Sequence, residues 1–75
     1  MTTISARVLA VARRGNQYRI VVRIGPPEYQ GSFNTLVFGE HKPRIGSYHN
    51  GRLDLIYFGY PDIKVGQPFR LWTIQ

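Results

Sequence analysis

Apolar and polar residues alternate along most of the chain with a period of two, the spacing that places successive side chains on opposite faces of a strand. β-branched and aromatic residues are frequent in these runs, and apolar residues do not recur at helical spacing over more than one turn. Glycine and proline separate the runs, and no repeat or linker composition divides the chain. The pattern predicts a single all-β domain over residues 1–75, without a regular helix.

The clearest predicted element is a hairpin near the start of the chain. Strand-like runs extend over Ile4 to Arg13 and over Gln17 to Ile24, and Arg14-Gly15-Asn16 separates them. Gly and Asn tolerate the positive φ angles of tight turns. Pro26 and Pro27 end the second run, because proline cannot donate to a ladder.

Side-chain parity decides between two registers for this hairpin. A three-residue loop pairs Val8 with Val22 and Ala12 with Tyr18, so that one face of the ladder is entirely apolar. A two-residue loop would place Val8 opposite Arg23 and mix core and solvent positions along the ladder. We therefore expect the three-residue loop.

Further runs complete a small antiparallel sheet. Ser32 to Phe38 carries apolar residues on both faces and is expected to be a central strand. Ile45 to His49 and Arg52 to Phe58 flank Asn50-Gly51, the dipeptide best suited to a two-residue hairpin turn, and Phe69 to Ile74 forms the last strand. Because closure removes exposed strand edges, we expect a five- to six-stranded antiparallel barrel.

Length and cysteine content exclude several classes of protein. A chain of 75 residues without cysteine has room for one small core, and it has no disulfide framework, thiolate metal site or thiol nucleophile. The first residues contain no apolar run long enough for a signal peptide or a membrane span, since Arg7 interrupts them. We expect a cytoplasmic protein that does not associate with membranes.

The net charge of +6 indicates an anionic partner, and for a small basic domain that partner is most often nucleic acid. Eight of the ten basic residues are Arg, whose planar fork binds phosphate through two hydrogen bonds. The expected register places Arg7 opposite Arg23, Val11 opposite Arg19 and Arg13 opposite Gln17. Five arginines and no acid lie in the first hairpin: Arg7, Arg13, Arg14, Arg19 and Arg23.

Aromatic residues supply the second part of the functional prediction. Five Tyr, four Phe and one Trp exceed what one small core requires. Rings exposed beside arginines stack on unpaired bases. We expect Arg44 and Arg52 to extend the basic track. Tyr48, Tyr57, Phe58 and Tyr60 are the candidates for stacking, although about half of such rings in a small barrel belong to its core.

This layout resembles the oligonucleotide-binding barrel, the OB fold, with its long basic first hairpin, third strand, Asn-Gly hairpin and closing strand. Asn50-Gly51-Arg52, followed by Leu55, Tyr57 and Phe58, is similar to hairpins of the helix-poor single-strand-binding proteins of filamentous phages. The resemblance implies a surface for single-stranded nucleic acid. Small SH3-like barrels share much of the same layout and remain the alternative fold.

Catalytic and metal sites are not expected. Ser47, His49 and Asp54 share a face of the second hairpin, but they lie flat on one ladder without the sharp turn and oxyanion hole of a nucleophile. His41 and His49 lack the Cys or carboxylate neighbours of a metal site. No glycine-rich loop precedes a helix, so we predict no cofactor.

The sequence therefore predicts a non-enzymatic protein that binds single-stranded DNA or RNA with weak sequence preference. The alternative is a small interaction module, an accessory or inhibitory subunit of a mobile element, whose basic face binds an acidic protein. Duplex binding is a further variant, and strand edges left open by a small barrel could pair in a homodimer.

Overall fold

Six antiparallel strands form the protein in the computed structural model, which describes residues 3–26, 28–59 and 63–73. The strands follow the order β3-β6-β1-β2-β5-β4, and the sheet curls into a half-barrel, which confirms the all-β prediction. No helix within those ranges is long and apolar enough to cross a membrane. The strands are β1 (Thr3–Arg14), β2 (Gln17–Ile24), β3 (Leu36–Val37), β4 (Arg44–His49), β5 (Arg52–Phe58) and β6 (Pro68–Thr73).

The long strand β1 belongs to both halves of the curled sheet. Its first part pairs with β6, from Thr3 opposite Trp72 to Arg7 opposite Pro68. From Val8 onward it pairs with β2 instead. A strand that changes partner along its length bends the sheet around its concave face, which becomes the core.

The first hairpin combines both of the registers considered from the sequence. At the tip, Arg14 pairs with Gln17 across a two-residue loop, and Gly15 takes the φ of 58° that the first position of a type II′ turn requires. The expected three-residue loop is therefore wrong. A bulge in β1 next to Val8 then shifts the ladder by one residue, so that Val8 pairs with Val22 as expected. The bulge keeps Val8 on the core side together with Val11 despite the shorter loop. Ala10 and Ala12, expected on the apolar face, pair with Val21 and Arg19 on the outer face instead.

The run Ser32 to Phe38 is not the central strand that its alternation predicts. Only Leu36–Val37 forms a strand, β3, and this strand lies at an edge of the sheet next to β6. Before it, the backbone N–H and the side-chain hydroxyl of Thr35 donate to the carbonyl oxygen of Ser32, at 3.1 and 2.6 Å. These bonds form a short 3₁₀ turn at Phe33–Thr35, because local Ser and Thr bonds compete with an extended ladder.

The second hairpin forms at Asn50-Gly51, as predicted. Both residues have positive φ angles, 47° and 84°, which is the requirement of a type I′ turn. The turn packs against the end of β2, where a Cβ atom on Gly25 would overlap the carbonyl oxygen of Gly51. Glycine at position 25 therefore allows the two elements to touch.

The core fills the concave face between the two halves of the sheet. Phe38 stacks on Phe69 with ring centroids 3.9 Å apart, and Tyr57 lies 5.5 Å from Phe69. The buried side chains of this cluster are Ile4, Val8, Ile20, Val22, Ile24, Leu36, Leu55, Tyr57, Phe69 and Leu71.

Tyr57 connects two distant strands through a buried polar contact. Its ring is fully buried, and its hydroxyl donates a 2.9 Å hydrogen bond to the carbonyl oxygen of Leu36 in β3. Burial raises the pKa of the Tyr57 hydroxyl, because the phenolate would lose its hydration. The bond therefore ties β5 to an edge strand of only two residues.

We predict that Tyr57→Phe lowers the free energy of unfolding by about 1–2 kcal/mol, because the buried carbonyl of Leu36 loses its donor. The native protein favours the neutral phenol, so Tyr57 contributes fully to the free energy of unfolding below the unfolded-state pKa of about 10, and this contribution declines as pH rises above it. In Tyr57→Phe the free energy of unfolding should therefore fall less in alkaline solution than in wild type. Urea unfolding at neutral and alkaline pH, followed by circular dichroism, measures both effects.

The matched control is Tyr48→Phe, since the Tyr48 side chain is 70% exposed. This substitution should leave the stability near neutral pH unchanged. Equal destabilisation by the two substitutions would contradict the role assigned to the buried hydroxyl.

Candidate nucleic-acid interface

The convex side of the sheet carries the arginines that the sequence places in a basic track. On β2, Ile20, Val22 and Ile24 lie in the core, so Arg19 and Arg23 are on the opposite, outer face. We use the term arginine face for the outer surface of the four strands β1, β2, β5 and β4 at the end near the tip of the first hairpin. Its members are Ala10, Ala12, Arg14, Arg19, Val21, Arg44, Ile56 and Phe58.

Two rows of paired residues cross the arginine face. In the first row, Ala12 pairs with Arg19, and Arg19 pairs with Phe58. The predicted pairing of Val11 with Arg19 is therefore shifted by one residue, because the hairpin loop is shorter than expected.

The second row joins Ala10, Val21, Ile56 and Arg44 in that order from β1 to β4. Val21 is nearly buried and Ile56 is half-buried, so they form an apolar floor at the middle of the sheet. The two rows together give a shallow apolar strip with a guanidinium group on each side.

The arginines of this face differ from the others in having no internal partner. Within the described parts of the chain, no hydrogen bond or ion pair involves the side chains of Arg14, Arg19 or Arg44, and all three are exposed. A cluster of exposed like charges without counter-charges destabilises a sheet slightly. Their charge is therefore available to an external anion.

Arg23, by contrast, is neutralised within the protein. Its Nε and Nη2 atoms donate to the two carboxylate oxygens of Asp54, at 2.7 and 3.3 Å, directly across the β2–β5 ladder. The guanidinium holds the pKa of Asp54 below its usual value, and His49, 3.3 Å from the second carboxylate oxygen, adds to this effect. Reciprocally, Asp54 raises the pKa of Arg23.

The expected register placed Arg7 opposite Arg23, and this pairing is wrong. The recorded β1–β2 ladder ends at Val8 and Val22, and Arg7 pairs with Pro68 of β6 instead. Arg7 donates a 3.1 Å hydrogen bond to the carbonyl oxygen of Gly66.

Arg13 and Arg52 also have internal contacts. Arg13, expected opposite Gln17, pairs with Tyr18, whose ring centroid lies 5.9 Å from its guanidinium carbon, within the range of a cation–π contact. Arg52 donates to the Glu28 carboxylate at 2.9 Å. A hydrogen bond from the backbone of Glu28 and, after it, this contact lower the pKa of the Glu28 carboxyl.

The predicted stacking residues have different environments. Tyr57 is wrong as a stacking residue, because its ring is fully buried in the core and its hydroxyl is bonded internally. Tyr48 is exposed, but its pairing with Leu53 places it on the concave side of the edge strand β4. Phe58 is half-buried on the arginine face beside Arg19. Tyr60 lies outside the described residues.

Sequence reasoning missed the apolar floor formed by Val21 and Ile56. These residues become neighbours only because β2 pairs with β5, two strands that are far apart along the chain. Their alternation with polar neighbours marks each as a strand residue, but it does not show which strands are adjacent.

The residues considered for catalysis do not form a catalytic arrangement. His49 contacts Asp54, which Arg23 already holds, and no hydrogen bond of the Ser47 hydroxyl is found among the described residues. The same part of the chain contains no group of three His, Asp or Glu side chains suited to a metal ion. Comparison of the chain with models of known protein families, with curated proteins and with solved structures finds no match.

We predict that Asp54→Asn lowers stability at neutral pH and removes a step in its acid dependence. The pKa of Asp54 is lower in the folded state than in the unfolded state. The ionised carboxylate therefore stabilises the fold above the unfolded-state pKa of about 4, and this stabilisation is lost as pH falls through the folded-state pKa. Urea unfolding of wild type and variant from neutral pH to about pH 2 should therefore give curves that converge in acid.

Glu40→Gln is the control, since the Glu40 side chain is exposed and no contact of it is recorded within the described residues. It should show the same acid dependence as wild type. A gap between wild type and Asp54→Asn that persists at the lowest pH would contradict the ion-pair explanation.

Proposed function

We propose that the protein is a non-enzymatic binder of single-stranded nucleic acid with weak sequence preference, and that the arginine face is its contact surface. The observation that carries this proposal is the set of three exposed arginines without internal partners, Arg14, Arg19 and Arg44, around an apolar strip that includes Phe58. Guanidinium groups bind phosphate oxygens, and an apolar strip is suited to the faces of unpaired bases.

The strip favours a single strand over a duplex. Phe58 and Ile56 are half-buried and leave apolar surface at the middle of the face, and stacking on it requires bases that are not paired inside a helix. Phosphates on either side would lie near Arg19 and Arg44, which flank the strip on β2 and β4. Because phosphate contacts and stacking read no base edge, sequence preference should be weak.

The charge of the first hairpin extends this surface to its tip. Arg14 faces the same side as Arg19, whereas Arg13 pairs with Tyr18 on the other side of the ladder. A strand that follows the face toward the tip would therefore meet Arg14 beyond Arg19.

A second candidate function is binding of an acidic protein. The edge strand β4 exposes 46% of Ile45 and 70% of Tyr48, and exposed aromatic residues near arginines are typical of protein interfaces. Capture of a partner with and without nuclease treatment separates the two candidates, since a protein contact survives removal of nucleic acid.

We predict that an unstructured single-stranded oligonucleotide binds at low salt and that its affinity falls linearly with the logarithm of salt concentration. Arg19→Ala combined with Arg44→Ala should reduce the slope by about 1.4, corresponding to two lost phosphate contacts on a single strand. Fluorescence anisotropy of a labelled oligonucleotide over a salt series measures the slope.

Arg70→Ala is the matched control, because Arg70 is exposed on β6, in the other half of the sheet, and lies opposite Ser5. It removes the same charge as either single substitution and should change the slope little. Absence of binding at low salt, or equal effects of Arg70→Ala and Arg19→Ala, would refute the proposed surface.

We further predict that Phe58→Leu weakens oligonucleotide binding with little change in the salt slope. The substitution keeps an apolar side chain on the strip but removes the ring, whose stacking on a base is worth about 1–3 kcal/mol. An unchanged affinity would show that bases do not stack on Phe58. Circular dichroism of the variant checks that the sheet is retained.

A further inference from the structure

A cleft opens where β1 leaves β2 to pair with β6. The β1–β2 ladder ends at Val8 opposite Val22. The residues of β1 before Val8 pair with β6 instead, and the backbone N–H of Val8 donates to the Gln67 carbonyl oxygen at 3.0 Å. The resulting cavity has a volume of about 390 Å³, and Ser5, Arg7, Arg23, Glu28 and Arg52 are among its lining residues. This volume is within the range of about 300–1,000 Å³ typical of small-molecule sites.

Three guanidinium groups from three different strands border this cleft. Arg7 lies on β1, Arg23 on β2 and Arg52 on β5. Asp54 pairs with Arg23 and Glu28 pairs with Arg52, whereas no carboxylate pairs with Arg7 in the described residues. The cluster therefore carries one uncompensated positive charge at a concave site.

The guanidinium of Arg7 is held in place and still has unused donors. Its Nη1 atom donates a hydrogen bond to the Gly66 carbonyl oxygen, 3.1 Å away, and this contact fixes the group beside the cleft. An Arg side chain has five N–H donors, so most of those of Arg7 remain available to a ligand. The hydroxyl of Ser5, two residues away on the same face of β1, adds a further donor at the cleft.

Glu28 accepts a hydrogen bond from Arg52 that an anionic ligand in the cleft would otherwise receive. Its Oε1 accepts from Nη1 of Arg52 at 2.9 Å, the one hydrogen bond recorded between the two side chains. Both groups are partly exposed, with 33% of Glu28 and 45% of Arg52 accessible, so their pairing can exchange with a stronger anion. A dianion with three oxygens is a better partner for several forked donors than one carboxylate oxygen.

We propose that this cleft is a binding site for a phosphate monoester, in which Arg7 is the principal ligand and Glu28 competes with the phosphate for Arg52. The paired strands close the cleft at the Val8–Val22 end, so a phosphate with one substituent fits it better than a diester within a continuous chain. The ligand is either a free mononucleotide or the phosphorylated end of a nucleic-acid strand, which share this group.

Isothermal titration with a nucleoside 5′-monophosphate, and with the nucleoside as the negative control, tests the site directly. The monophosphate should bind and the nucleoside should not. Arg7→Ala should weaken binding about tenfold, as expected for loss of a charge-assisted hydrogen bond, and Arg44→Ala, on the edge strand β4 away from the cleft, should have little effect. Failure of the monophosphate to bind, or equal weakening by the two substitutions, would overturn the proposal.

Glu28→Gln gives a prediction of opposite sign. Removing the competing carboxylate should tighten monophosphate binding about threefold or more, because the charge of Arg52 becomes available. The control Glu40→Gln changes the net charge equally and should leave the affinity nearly unchanged. Unchanged or weaker binding to Glu28→Gln would contradict the competition.

Oligonucleotides with and without a 5′-phosphate distinguish the two ligand sources. Tighter binding of the phosphorylated oligonucleotide, lost in Arg7→Ala, identifies the end of a strand. Binding of the monophosphate with no preference between the two oligonucleotides identifies a free small molecule. The cleft does not depend on the arginine face. Arg19→Ala combined with Arg44→Ala should therefore weaken oligonucleotide binding and leave monophosphate binding unchanged.

Discussion

The exchange of partners by β1 at Val8 is the constraint on which the rest of the structure depends. A strand bonded to β6 before this residue and to β2 after it must bend, and the bend closes the two halves of the sheet over one core. The bulge next to Val8 shifts the ladder by one residue, so that Val8 and Val11 both face the core although the hairpin loop has only two residues. The same exchange leaves the wedge between Arg7 and Arg23 that becomes the cleft.

The distribution of four acidic residues decides what the ten basic residues can do. Asp54 and Glu28 neutralise Arg23 and Arg52 near the cleft, and there only Arg7 keeps an uncompensated charge among the described residues. No described acidic side chain forms an ion pair with Arg14, Arg19 or Arg44, so the arginine face keeps guanidinium groups that an external anion can bind. The excess of basic residues thus forms two different surfaces. The arginine face is broad and carries an apolar strip, and the cleft is concave and contains the carboxylates of Asp54 and Glu28.

Aromatic residues divide between core and surface according to their polar groups and their strand partners. Tyr57 is tolerated in the core because its hydroxyl finds the carbonyl oxygen of Leu36, and the bond anchors the short edge strand. Phe58, the next residue, points to the opposite face by the alternation of the strand and lies beside Arg19. Two adjacent rings of similar size therefore serve different purposes.

Local chemistry in the sequence determined the strands of both hairpins, the Asn50-Gly51 turn and the concentration of arginine on the first hairpin, because alternation and turn preferences act between near neighbours. The tertiary structure alone decided that β2 pairs with β5. That pairing brings Asp54 to Arg23, 31 residues away along the chain, places Phe58 beside Arg19 and buries Tyr57. Such partners depend on how the sheet curls around its core, and no pattern within a single strand contains that information.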